Sequence, residues 1–426
     1  MSSFIIEGGR PINGSVRPSG NKNEALPALV SCLLTDEPIT LKRVPKIRDV
    51  VTICEILEYL GVKVEWHSEE ELTLDARTAN NHIAPTDLCA RVRASILLIG
   101  PLLSRFGKVE LGAPGGDVIG ARRIDTHFEG IIALGAELRY DTVITGSIKN
   151  IMGTEIFLDE PSVTATENLL LLSVISQGTT VLHNAACEPH VNGIAKLLNS
   201  MGAKISGIGT NQLKIDGVAK LHGTTHTIGP DFMEVGSFIC LGAIGGGKIT
   251  IEEAEPEDLR FVFKTFNRLG IQPEVKGKEI SIDGNKPMNI SNDITGRIAT
   301  IYSGPWPAFP TDLMSVTIVA ATQASGTIVF FEKMFEGRMF FTDKLISMGA
   351  NIVLCDPHRI VVTGPSQLYG AHLSSPDVRA GMSMLMAAAI AKGTSQINNI
   401  YQIERGYYQI GNKLESLGVA IRHIKN

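Results

Sequence analysis

The sequence predicts a mixed α/β protein made of six copies of one unit, gathered around buried helices. Three observations predict it. A Leu-Gly or Met-Gly pair recurs at Leu60-Gly61, Leu134-Gly135, Met201-Gly202, Leu269-Gly270, Met348-Gly349 and Leu417-Gly418. The spacing of about 70 residues is that of an internal repeat. Upstream of the pairs lie segments of helical length, such as Glu24 to Leu34, Ala94 to Leu103, Glu167 to Ile175 and Met382 to Ile390. They are apolar nearly all round, the pattern of a helix with no wet face. Between them run short β-like stretches that each follow a glycine: Gly178 to Leu182, Gly247 to Ile251, Gly326 to Phe330.

Each element has a local reason. The Gly of every pair fits the position just past a helix end, where positive φ is cheap only without a Cβ. After the pair, alternation in Ile205-Ser206-Gly207-Ile208 and the run Ile352-Val353-Leu354 mark strands returning to a sheet. The unit therefore reads helix, strand, helix, strand, strand. An open solenoid would want polar capping repeats. Three copies enclosing one helical core, with sheets outside, give instead two domains of three units each.

The chain has 426 residues, with 39 Lys+Arg against 44 Asp+Glu, 44% hydrophobic and 19% charged. At roughly 150 residues per domain that is room for two or three. The composition argues against long disorder, and the mildly acidic balance argues against a nucleic-acid-coating protein while leaving room for a local basic pocket. No uninterrupted apolar run approaches the ~18 residues of a membrane span, and the start Met1 to Glu7 lacks a signal peptide's basic and apolar regions. A cytoplasmic protein with no obligate protein partner is expected. The cysteines at 32, 54, 89, 187, 240 and 355 form no C-x-x-C pair, so they read as buried free thiols.

The chemistry collects near expected helix starts. Cations there oppose the helix dipole, and Lys22, Arg93, Arg122, Arg123, Arg338, Arg379 and Arg405 are all assigned to such places. Converging, they would form a phosphate or pyrophosphate pocket; dispersed, they are surface cations. Ser162, Asp231 and Asp377 sit where ordinary N-caps belong. The stretch Leu111 to Arg123, with Pro114 among glycines, reads either as a lid carrying Asp117 or as a surface turn with a solvated carboxylate. Pro307 to Asp312 delivers an Asp to a helix start, as a cap or as a general base. Other motifs fail. Gly242 to Lys248 lacks the P-loop Ser/Thr, since Ile249 follows. Gly223-Thr224-Thr225 argues against a helix carrying a zinc pair at His222 and His226. No G-x-S-x-G occurs, and no G-x-G-x-x-G follows a strand.

The run Ser19-Gly20-Asn21-Lys22-Asn23-Glu24-Ala25-Leu26-Pro27 resembles the opening signature of the enolpyruvyl transferases. The resemblance continues, in order, through Arg93-Ala94-Ser95, Gly115-Gly116-Asp117 to Arg122, Asp125-x-His127, Pro307 to Asp312, Phe335-Glu336-Gly337-Arg338, Asp377-Val378-Arg379 and Glu404-Arg405-Gly406-Tyr407. It is nearest to the branch whose acceptor is UDP-N-acetylglucosamine. It implies two inside-out α/β domains, each of three β-α-β-α-β-β repeats, with the site in the cleft between them. The first domain would be residues 1–21 plus 230–426, the second 22–229 with a mobile loop over 111–122. The implied reaction moves the enolpyruvyl group of phosphoenolpyruvate to the 3′-hydroxyl of the sugar nucleotide and releases phosphate. It is the first committed step of peptidoglycan synthesis and uses no metal or organic cofactor.

By the same resemblance Asp312 accepts the hydroxyl proton, Asp117 donates to the methylene carbon, and Lys22, Arg122, Arg338, Arg379 and Arg405 clamp phosphoenolpyruvate and the adduct. Asn23, Arg93, Arg122, Arg123, Ile124, Asp125, Thr126, Ser162, Val163, Asp312 and Met334 fall where the family holds the sugar nucleotide, and Asp231 and Asp377 join the substrate-binding set. Two departures stand out. Asp117 replaces the loop Cys of most members, which implies resistance to fosfomycin. Glu160-Pro161 stands where a basic residue is usual, and Arg123 replaces an apolar or Pro position. Two other functions are compatible with the residues. One is the same transfer to another acceptor, a different nucleotide or shikimate 3-phosphate, although the shikimate branch's Lys-Ser is here Lys22-Asn23. The other is a silent nucleotide-sugar-binding paralogue, against which Lys22, Asp312, Arg379 and Arg405 weigh.

Overall fold

The computed structural model describes residues 2–116 and 123–424. Asp117 and Arg122 lie outside them, as does half of the expected lid; Leu111 and Gly112, its first two residues, instead end the strand Lys108–Gly112. The chain forms two compact units. The terminal unit joins residues 2–19 to 230–424, and the inserted unit comprises 20–116 and 123–229.

Every strand among the described residues falls into one of six four-stranded sheets. The third shows the repeat whole. Edge strand Glu155–Phe157 leads into helix Val163–Ser173, strand Thr179–His183, helix Pro189–Ser200, and the pair Lys204–Ser206 and Gln212–Asp216. The edge strand runs parallel to its neighbour, and the last two are antiparallel. The sequence pattern lacked this edge strand because three residues are too few to display a period of two.

Chain order is permuted to close each unit. In the inserted unit the first repeat takes its edge strand from Thr225–Thr227, at the unit's far end. In the terminal unit Ser3–Glu7 pairs between Thr394–Asn398 and Ala420–Ile424, completing the last sheet. Two backbone hydrogen bonds lie where the chain passes between units. Asn21 N–H donates to Gly229 O at 2.7 Å within one unit, and Asp231 N–H to Ser19 O at 2.8 Å within the other.

The first helix of each repeat is buried. In the terminal unit these are Phe232–Ile244, Met314–Ala321 and Val378–Ile390, with every residue of Met314–Ala321 buried. In the inserted unit they are Lys22–Val30, Val163–Ser173, and Ile99–Phe106 continuing the 3-10 turn Arg93–Leu98. Each fully buried Leu or Ile contributes roughly 1.5–3 kcal/mol, so these helices dominate the core. Several of their hydroxyls are satisfied by bonding back along the helix: Ser237 to Met233 O at 2.8 Å, Thr317 to Leu313 O at 2.6 Å, Ser383 to Ala380 O at 2.7 Å. Five cysteines are buried, and burial pushes the Cys54 thiol up to about 12; Cys355 is exposed and departs from the expectation. No helix among the described residues is long and apolar enough to cross a membrane.

All six repeat glycines adopt positive φ, from 80° at Gly270 to 106° at Gly349. Gly418, at φ 88°, has room for a Cβ, its nearest atom being Pro11 O at 3.9 Å. Backbone conformation alone is therefore tested there. Gly418→Ala should destabilise the terminal unit by about 1–3 kcal/mol in urea unfolding. Gly418→Asn should cost less, because Asn tolerates this region better. An unchanged midpoint for the Ala variant would contradict the assignment.

Candidate active site

In the terminal unit three helix starts bring opposite charges together. Asp312 lies in the 3-10 turn Thr311–Leu313 that opens Met314–Ala321. Its carboxylate faces two guanidiniums: Oδ1 accepts from Arg338 Nη2 at 2.6 Å, and Oδ2 from Arg379 Nε at 2.9 Å. Asp377 caps Val378–Ile390 by accepting from the N–H groups of Arg379 and Ala380, and lies 3.7 Å from Arg338 Nη1. Arg379 stacks over the Tyr407 ring at 5.3 Å. Burial alone would lower the Arg379 pKa, but Asp312, Tyr407 and Asp231 raise it well above the ordinary arginine value. Two buried donors, Arg379 Nη1 and Arg338 Nε, have no acceptor among the described residues.

Asp231 caps Phe232–Ile244 through the N–H groups of Met233 and Glu234. Burial pushes its carboxyl up to about 6, with Arg379 pulling it down and Glu234 adding to the rise. Glu234 is fixed in turn by Lys413 at 2.5 Å and by the Ser19 N–H at 2.9 Å.

One cation is not where the sequence pattern put it: Arg405 follows the one-turn helix Tyr401–Glu404 as its C-cap and does not oppose a helix dipole. Arg338 is the third residue of the 3-10 turn Glu336–Met339, whose N-cap is Phe335, and so stands at the expected helix start. What gathers Arg338 is its carboxylate partners, while the nearly buried Arg405 reaches Gln402 Oε1 at 3.3 Å. Met334 is partly exposed, its N–H held by Glu332 at 2.8 Å.

In the inserted unit Lys22 is the first residue of Lys22–Val30, and Asn21 caps that helix by accepting from Asn23 N and Glu24 N. The unfavourable cation is offset by Asp49, whose carboxylate lies 2.7 Å from Lys22 Nζ. Glu24, the third residue of that helix, accepts from His226 Nε2 and from the Gly229 N–H.

A second group gathers around Arg123. Its Nε donates to Asp125 at 2.9 Å, its Nη1 is 3.3 Å from Asp159, and its carbonyl accepts from Arg93 at 3.2 Å. Thr126 also donates to Asp159, at 2.8 Å. Ile124 precedes the helix Asp125–Ala133 as its N-cap, and Ser162 caps the helix that begins at Val163. Beneath them His127 is buried between Thr164 and Asn168, and burial, with Arg93 nearby, lowers it to about 3. It is neutral at any physiological pH.

The structure thus brings Asp231, Asp312, Asp377, Arg338 and Arg379 into one network. Arg93, Arg123, Asp125 and Thr126 form another, and Lys22 with Asn23 stands at the start of its own helix. Sequence reasoning missed Asp49, Asp159, Glu332 and Tyr407. Tyr407 stands in a matched segment and Asp49 at an expected helix start; Asp159 adjoins the flagged Glu160. Glu332, in Phe331-Glu332-Lys333, looks like any surface charge at a strand end.

Because Asp231 is held above its usual 3.8, folding takes up a proton between about pH 4 and 6, and stability falls as pH rises through that window. Asp231→Asn keeps the cap but cannot ionise. Urea unfolding at pH 4, 5, 6 and 7 should show the variant's stability rising relative to wild type by roughly 3 kcal/mol across that window. A constant difference would contradict it.

The model of the family described as EPSP synthase (3-phosphoshikimate 1-carboxyvinyltransferase) matches residues 6–414. A protein named UDP-N-acetylglucosamine 1-carboxyvinyltransferase from Borreliella burgdorferi is 51% identical, covering 100% of both chains. Its namesake from Treponema denticola is 50% identical over 99% of each. A third, from Bradyrhizobium diazoefficiens, is 50% identical over 99% of this chain and 98% of its own. Among solved structures, the enolpyruvyl transferase NikO from Streptomyces tendae superposes with a TM-score of 0.89 at 23% identity, covering 100% of this chain and 99% of that one. EPSP synthase from Acinetobacter baumannii gives 0.77 at 17%, with both chains covered in full. These two establish the fold. Matched by the family model over nearly its whole length, and half identical end to end to such relatives, the chain belongs to the enolpyruvyl (1-carboxyvinyl) transferase family.

Proposed function

We propose that the protein transfers the enolpyruvyl group of phosphoenolpyruvate to the 3′-hydroxyl of UDP-N-acetylglucosamine and releases phosphate, the first committed step of peptidoglycan synthesis. The observation that carries the reading is identity of about half, over the whole chain, to relatives named for that transfer. The geometry at Asp312 supports it. The reaction needs a base for the hydroxyl, an acid for the methylene carbon, and cations for a carboxylate and a phosphate.

Asp312 is assigned as the base. While both its oxygens accept from guanidiniums it is a poor one. Anionic phosphoenolpyruvate would compete for those donors, entering first through the open N–H groups of Arg379 and Arg338. Drawing them off raises the basicity of Asp312 only when substrate is bound. Lys22, with Asp49 holding its ammonium, is assigned to the same substrate, as are Arg122 and Arg405. The hydroxyl oxygen bonds to C2 of phosphoenolpyruvate as the methylene carbon takes a proton from Asp117. Loss of phosphate and of a methyl proton from the adduct then restores the double bond. Asn23, Arg93, Arg123, Ile124, Asp125, Thr126, Ser162, Val163 and Met334 are assigned to the sugar nucleotide, and Asp231 and Asp377 to holding Arg379 and Arg338.

A specific observation keeps a second acceptor in view. Arg123, which feels the charge of Glu160, has its own charge taken up by Asp125 and Asp159 rather than left for a diphosphate. Phosphate release should therefore be measured with UDP-N-acetylglucosamine beside UMP and shikimate 3-phosphate. Turnover with the UDP sugar alone is expected; release with a different acceptor instead would reassign the substrate, and a protein that binds the sugar nucleotide without release would be the silent paralogue. Asp312→Asn should lower kcat by about 10²–10⁴-fold while leaving UDP-sugar affinity in place.

The loop offers Asp117 where a thiol would be alkylated. Intact-mass analysis after incubation with fosfomycin and UDP-N-acetylglucosamine should show no added mass and full activity. A covalent adduct with lost turnover would refute resistance.

A further inference from the structure

We propose that Glu332 is a positioning residue for this reaction, a buried hub that holds the Asp312 turn and the segment bearing Met334 and Arg338 in one register. The inference rests on the transfer reaction proposed above. Glu332 follows the strand Gly326–Phe331 and is fully buried. A carboxylate taken out of water is costly unless donors surround it. Here they come from three separate pieces of chain. Ser303 Oγ donates to Oε1 at 2.8 Å, and the N–H groups of Met334 and Phe335 donate to the same oxygen at 2.8 and 3.3 Å. Thr311 Oγ1 donates to Oε2 at 2.7 Å. Ser303 Oγ in turn accepts from Lys333 N–H at 2.8 Å, closing a ring around the carboxylate.

The donors matter because of what adjoins them. Thr311 is the residue before Asp312. Phe335 O accepts from Arg338 N–H at 3.3 Å, and the Arg338 guanidinium lies over the Phe335 ring at 5.8 Å. One oxygen thus fixes the Asp312 side and the other the Arg338 side of a contact that is itself only 2.6 Å long. The backbone of Glu332 is pinned as well, exchanging hydrogen bonds with His358 at 2.8 Å in both directions. A hub so anchored transmits any displacement of one side chain to the other. Glu332 touches neither reacting group, so its effect passes through Thr311 and Phe335.

Thr311→Val keeps the volume and β-branching but removes the hydroxyl, cutting only the Asp312 arm. Glu332→Gln disturbs both arms. Kinetics in phosphate release should show Thr311→Val lowering kcat about 10- to 100-fold, with both KM values within about twofold of wild type. Glu332→Gln should lower kcat and also raise KM for phosphoenolpyruvate. The double variant should be no slower than the slower single one, because the two changes break the same link. In a Trp66→Phe background, Trp306 reports on the turn that leads to Thr311, and its fluorescence anisotropy should fall in Thr311→Val. Wild-type kinetics in Thr311→Val, losses that multiply in the double variant, or activity that merely follows the thermal midpoint with unchanged Trp306 anisotropy would each overturn the proposal. A wild-type protein that releases no phosphate would defeat the reaction reading instead, and Trp306 anisotropy would then decide by itself whether Glu332 holds the turn.

Discussion

Helices that are apolar on every side impose the constraint from which the rest of this protein follows. Such a helix cannot lie on a surface; it must be enclosed, and in each unit three of them share one core under three sheets. Their flanks hold few polar groups, and those are buried, as Asn168 and Ser237 are. Their first turns call for them, because N–H groups there lack partners and must be met by side chains. Asn21, Ser162, Asp231 and Asp377 meet them. Lys22 and Arg379 stand one and two residues beyond two of those caps. In each unit, candidate residues stand at helix starts because the packing leaves polar side chains few other places to be.

That reasoning also explains what was legible. A left-handed glycine after each helix and an all-apolar helix before each strand are local demands, so they appear in the sequence at every copy. Edge strands of two to four residues are set by neighbours in the sheet and leave no pattern, and two of them come from distant chain: Gly14–Val16 serves the sheet of Lys248–Ile251, Thr225–Thr227 that of Ile39–Lys42. The candidate site divides in the same way. Asp312, Arg379 and Lys22 were found because they follow a rigid turn or sit at a helix start. Arg405 was found through its matched segment, although the dipole argument made for it is wrong: it stands at a helix end. Asp49 and Glu332 act through contacts with residues 29 or fewer positions away in sequence but on other elements, and a lone acid in sequence says nothing about its donor.

What separates a cation meant for substrate from one that holds the fold is the use made of its donors. Arg105 spends its guanidinium on Leu33 O, Thr35 O, Ala76 O and Asp36, four acceptors belonging to the fold. Arg123 is divided between Asp125 and Asp159. Arg379 and Arg338 are as buried as any of these, and a buried charge without a counterion would be strongly destabilising. Asp312 supplies that counterion, yet each guanidinium keeps one buried N–H with no acceptor among the described residues. Leaving a buried donor unsatisfied costs about 1–3 kcal/mol, a cost that an incoming phosphate or carboxylate recovers on binding. The same contact that supplies the counterion therefore occupies both oxygens of Asp312, and under the function proposed above the anion that would draw the donors away is the one whose reaction would need Asp312 as a base.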